Sequence, residues 1–117
     1  CLGFAGLLSD QIFGERAPVY FFYDYDQLRP GDQIRLNEYE HSMIVVEKTD
    51  ESVTVAEVNA DYEDCLISWD RQISRYELEY ELSWDLEYIS RYPMWRDGDG
   101  ALLTRDEIEL LDVTIEN

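Results

Sequence analysis

The chain has 117 residues, with 27 acidic against 9 basic side chains and a formal charge of −18 when the single histidine is neutral. Its length fits one domain, and a composition 45% hydrophobic and 14% aromatic is enough to bury a core, which excludes an acidic disordered segment. The acidity excludes nucleic acid and anionic membrane surfaces as partners, because both are bound through Lys and Arg. No apolar run reaches the roughly 20 residues needed to span a bilayer.

From the N-terminus, Leu2, Phe4, Ala5, Leu7, Leu8, Ile12 and Phe13 recur at helical spacing and predict a helix over Cys1 to Phe13, ended by Gly14. Val19 to Tyr23 reads as an extended aromatic segment, followed by an acidic loop through Asp26. In Arg29-Pro30-Gly31-Asp32, Pro presets φ at the second turn position and Gly accepts positive φ at the third. Short β-rich runs follow at Gln33 to Leu36, His41 to Lys48, Ser52 to Asn59 and Leu66 to Trp69, with Thr49-Asp50-Glu51 as a tight hairpin connector. Ser74 and Glu77 have the spacing of a capping box and predict a short helical turn. Trp84, Leu86 and Tyr88 then alternate with polar residues, predicting a last strand from Leu82 to about Tyr92 that Pro93 closes. A helix followed by mostly consecutive strands predicts an α+β fold with an antiparallel sheet.

Three features of this pattern bear on chemistry. Cys1 stands where a helix begins, and the positive end of a helix dipole favours a thiolate. His41 opens its strand. Glu57 and Asn59 lie two apart on the next strand and share a face with Val53 and Val55, so either can meet the His41 imidazole across the sheet. Together these are a nucleophile, a base and an orienter. Residue types alone leave ordinary structural roles open for a cysteine on an apolar helix and for a lone histidine.

Cys1-Leu2-Gly3-Phe4-Ala5 continues into Leu8-Ser9-Asp10-Gln11-Ile12-Phe13-Gly14. After it come Leu28-Arg29-Pro30-Gly31-Asp32-Gln33-Ile34-Arg35, His41-Ser42, Val53-Thr54-Val55-Ala56-Glu57-Val58-Asn59 and Ile67-Ser68-Trp69. This order of elements resembles the bacterial papain-like cysteine peptidase and amidase group that contains the CHAP and NlpC/P60 families. The resemblance implies a papain-like core in which an N-terminal nucleophile helix packs on an antiparallel sheet, with residues 1–92 as the catalytic domain and 93–117 as a short acidic extension. It implies Cys1 as nucleophile, His41 as base, Asn59 as orienter and Glu57 as a second polar member, since Glu57-x-Asn59 matches the CHAP pattern. The implied activity is hydrolysis of an amide or peptide bond, in peptidoglycan or in a protein or peptide, with no required cofactor. The implied setting is a secreted or cell-surface protein with further domains in a longer precursor, and a start at Cys rather than Met reads as processing or trimming. Members of the group carry residues upstream of the nucleophile that shape the oxyanion site, and here none precedes Cys1.

Rival readings remain open at this level. A catalytically inactive papain-like domain would serve as a protein- or ligand-binding module. A Cys1–Cys65 disulfide would make Cys1 structural, and a Cys1 α-amino group acting as its own base would make His41 dispensable. Near the C-terminus, the segment from Asp97 to Ile108 resembles part of a calcium loop of EF-hand or dockerin type. With Gly100 at its sixth place, Asp97, Asp99 and Asp106 fall at the third, fifth and twelfth, while Trp95 stands where the first ligand belongs. A solvated turn before a short helix capped by Thr104 and Glu107 is the other reading of the same residues.

Overall fold

The turn at residues 29–32 shows how local chemistry starts the sheet. Gly31 adopts φ of 101°, a region that costs residues with a Cβ, and the Asp32 N–H donates to the Arg29 carbonyl at 3.0 Å. The Arg29 N–H in turn donates to Asp32 Oδ2 at 2.9 Å. Asp32 is almost fully buried, and that burial pushes its carboxyl up to about 7, against the opposing hydrogen bonds from Ser90 and the Arg29 backbone.

The computed structural model describes residues 4–14, 16–38, 41–60, 65–91 and 108. In chain order these form α1 (Phe4–Phe13), β1 (Tyr20–Phe22), β2 (Gln33–Leu36), β3 (His41–Lys48), β4 (Ser52–Ala60), β5 (Cys65–Ser74) and β6 (Leu86–Ser90). A 3-10 turn at Tyr25–Gln27 and a π-helical turn at Glu77–Glu81 lie between strands. All strand pairs are antiparallel, in one six-stranded sheet of order β1-β6-β2-β3-β4-β5.

This corrects the expected fold class. The chain is mostly antiparallel sheet with only short helices, and not the papain-like α+β arrangement of a nucleophile helix packed on a sheet. The physical reason lies in how much of the chain extends. The run at Leu66 to Trp69 is part of a ten-residue strand continuing through Asp70, Arg71 and Gln72 to Ser74. The aromatic segment pairs with β6 as an edge strand, Phe21 opposite Ile89. A ten-residue α1 covers only part of one sheet face.

Alternation along the strands divides the core in two. On one face Ile34, Leu36, Met43, Val45, Val53, Val55, Ile73, Leu86 and Tyr88 pack beneath Tyr25, Leu28 and Leu78 from the two helical turns and their flanks. On the other, Ile44, Val46, Ala56 and Val58 pack against Ala5 and Leu8 of α1. Ile108, from the stretch read as an extension, is fully buried in this second cluster. Two bulges set which side chains face where. Val46 is the extra residue between the pairs Val45–Val55 and Glu47–Thr54, and two residues of β5 oppose Ala56 between the pairs Val55–Arg71 and Glu57–Ser68.

The C-terminal half of α1 is fastened to the end of β6. The buried Arg91 guanidinium donates to Ser9 Oγ and Asp10 Oδ1, and to the carbonyls of Gly14 and Ala17. At the β3–β4 connector, Thr49 Oγ1 accepts from the N–H groups of Glu51 and Ser52 at 3.2 and 3.1 Å, which closes the hairpin. Tyr25 Oη donates to the Thr49 carbonyl at 2.8 Å and Lys48 Nζ to the Leu28 carbonyl at 3.0 Å, tying the 3-10 turn to that hairpin.

Candidate functional site

His41 begins β3 and stands opposite Leu36 of β2. Its parity is that of Met43 and Val45, so it lies on the sheet face away from α1. Glu57 shares that face on β4, being in phase with Val53 and Val55. The consequence is a direct contact: His41 Nε2 lies 2.9 Å from Glu57 Oε1. A carboxylate only accepts, so Nε2 carries the proton, and Nδ1 is left without a partner among the described residues. Burial differs sharply between the two: the Glu57 side chain is 3% exposed and that of His41 27%, so a fixed carboxylate holds an imidazole that solvent or a ligand can reach.

Arg71 completes the cluster from β5. Its Nη1 donates to Glu57 Oε1 at 3.0 Å and Oε2 at 3.2 Å, and lies 3.9 Å from the Met43 sulfur. The Arg71 side chain is 43% exposed, against 3% for Glu57. Strand parity does not reveal this residue. Ile67 and Trp69 pack toward α1, and a plain two-residue alternation would send Arg71 the same way. The bulge opposite Ala56 reverses the phase, and Arg71 joins Ile73 on the opposite face.

Of the sequence-predicted residues, His41 and Glu57 are therefore in hydrogen-bond contact. Asn59 lies two residues further along β4, its backbone paired with Leu66, and Cys65 pairs with Ala60 at the same end of the sheet. The side chains of Asn59 and Cys65 are outside the described residues, as is all of Cys1. Asp97, Asp99 and Asp106 of the calcium-loop-like segment also lie outside them. Among the described residues no three His, Cys, Asp or Glu side chains are grouped to hold a metal ion.

No protein family, curated protein or solved structure matches the chain. Among the described residues no helix is long and apolar enough to cross a membrane. The site rests on its own geometry: a half-buried imidazole, a buried carboxylate behind it and a guanidinium beside that carboxylate.

Proposed function

We propose that the chain is a cysteine-dependent hydrolase of an amide or peptide bond, with Cys1 as nucleophile, His41 as general base and Glu57 as the residue that orients it. The observation that carries this reading is the 2.9 Å contact from His41 Nε2 to the buried Glu57 carboxylate. With Nε2 engaged, Nδ1 is the nitrogen available for proton transfer. In the proposed reaction His41 Nδ1 takes the Cys1 thiol proton as sulfur attacks the carbonyl carbon. The imidazolium then protonates the leaving amine as the C–N bond breaks. A water molecule, deprotonated by the same nitrogen, releases the acyl group and restores the thiol.

The resemblance of the Cys1 to Gly14 segment and of the His41 and Glu57-x-Asn59 strands to CHAP and NlpC/P60 members supports the choice of reaction. By that analogy the substrate class is a peptidoglycan peptide or amide, or a protein or peptide, met by a secreted or cell-surface protein. One observation favours a second reading. The first described turn of α1, which follows Cys1 in the chain, packs on the sheet face opposite His41 and Glu57, as befits a non-catalytic binding module whose His41–Glu57–Arg71 cluster is structural.

Hydrolysis separates the two. The intact chain is incubated with peptidoglycan-derived muropeptides and with a mixed peptide library, and products are read by mass spectrometry beside Cys1→Ser, His41→Ala and Glu57→Gln. The hydrolase reading expects new amide-cleavage products that vanish in Cys1→Ser and His41→Ala and fall by about tenfold or more in Glu57→Gln. Cleavage that survives in His41→Ala excludes His41 as the base, and no cleavage of either substrate class favours the binding module.

A further inference from the structure

Glu57 is a buried carboxylate that must keep its charge in order to orient a base. An ionised carboxylate removed from water is costly unless a positive charge compensates it and hydrogen bonds satisfy its oxygens. The described charged groups hydrogen-bonded to Glu57 are His41 from β3 and Arg71 from β5. If the imidazole supplied the compensating charge, it would do so as imidazolium, which has no lone pair and cannot accept a proton. Arg71 removes that demand. It is permanently charged, and its Nη1 spans both carboxylate oxygens, at 3.0 and 3.2 Å, while leaving Oε1 able to accept from His41 as well.

We propose that Arg71 is a positioning residue whose guanidinium neutralises the buried Glu57 carboxylate, so that His41 meets it as an uncharged Nε2–H donor with Nδ1 free to act as base. This rests on the hydrolase reading for its purpose, although the arrangement itself is measurable without any turnover. The bulge in β5 is the structural device behind it, because without the extra residue opposite Ala56 the Arg71 side chain would face α1. Lysine at this position retains the charge but not the planar fork, and methionine retains the length but neither.

The histidine is the only one in the chain, so its ring nitrogens give unobstructed signals in a long-range proton–nitrogen correlation spectrum of the uniformly labelled intact chain. At one fixed pH, Arg71→Met is expected to move both ring-nitrogen signals away from their wild-type positions, the effect of removing the positive charge hydrogen-bonded to Glu57. Arg71→Lys is expected to leave those signals near their wild-type positions and to keep the Nε2–H tautomer. Unchanged ring signals in folded Arg71→Met overturn the proposal. So does loss of folding in both Arg71→Met and Arg71→Gln, which would make the residue structural. Failure of the hydrolase reading registers separately, as absent cleavage by wild type, and leaves these spectra to decide the role of Arg71.

Discussion

Asp32 makes stability depend on pH with a sign opposite to that of most carboxylates. Its side chain lies in the turn before β2, with Oδ2 accepting from the Arg29 N–H and Oδ1 without a hydrogen-bond partner among the described residues. Burial, only partly opposed by Ser90 and Arg29, raises its pKa from 3.8 to about 7. Between those values the folded chain holds a proton that the unfolded chain has lost, so stability falls as pH rises. The contribution is fully present below 3.8 and is gone above about 7. At about 1.36 kcal/mol for each pH unit of that interval, the full span is worth about 4 kcal/mol, of which about 2 kcal/mol is lost between pH 5 and 7, where the folded group is half-titrated. General repulsion in a chain of charge −18 also grows over this range, but it is shared by a variant that cannot ionise at this position. The assay is urea unfolding followed by tryptophan fluorescence at pH 5, 6, 7 and 8, for wild type and Asp32→Asn. Wild type should lose about 2 kcal/mol more than Asp32→Asn between pH 5 and 7. Parallel pH dependences in the two proteins would refute the assignment of a buried, protonated Asp32.

Two further substitutions probe how the sheet is assembled. Arg91→Ala removes the guanidinium that joins Ser9, Asp10, Gly14 and Ala17 to the end of β6, and should cost about 3 kcal/mol in urea unfolding, with amide exchange accelerated first in α1. A loss under 0.5 kcal/mol would show that α1 is held by its apolar contacts alone. Gly31→Ala places a Cβ on a residue at φ of 101° and should cost about 1–2 kcal/mol by thermal or urea unfolding; no loss would mean that the turn relaxes to another type.

Where local chemistry acts by itself, the sequence is easy to read. The alternation in Gln33 to Leu36 and the run from His41 to Lys48 give β2 and β3 with the same bounds as in the fold, and the Pro-Gly turn ahead of them forms as its residues require. The Ser74–Glu77 capping pair also forms, with the Glu77 N–H donating to Ser74 Oγ at 3.1 Å, although the turn it opens is π-helical. Leu82 to Asp85 belong to a turn rather than to the last strand, because the Asp85 and Leu86 N–H groups donate back to the Leu82 carbonyl. The polar stretch Asp70-Arg71-Gln72 conceals the second half of β5, since an edge strand tolerates polar side chains that a central strand would not. At the site, parity places Glu57 on the face of Val53 and Val55, a property of the strand itself. Which face α1 covers, and that Arg71 reaches Glu57, depend on packing between distant segments and on a bulge that reverses the phase. Neither is a local property of the sequence.

Alkylation kinetics test whether His41, held by Glu57, activates a thiol at Cys1. The intact chain is treated with iodoacetamide at neutral pH, and modification of Cys1 and Cys65 is followed separately by peptide mass spectrometry, in wild type and in His41→Ala. Cys1 is expected to react about tenfold or more faster than Cys65 in wild type, and His41→Ala to abolish most of this difference. Equal, slow labelling of the two cysteines in wild type, or a fast Cys1 whose rate is untouched by His41→Ala, would contradict this activation.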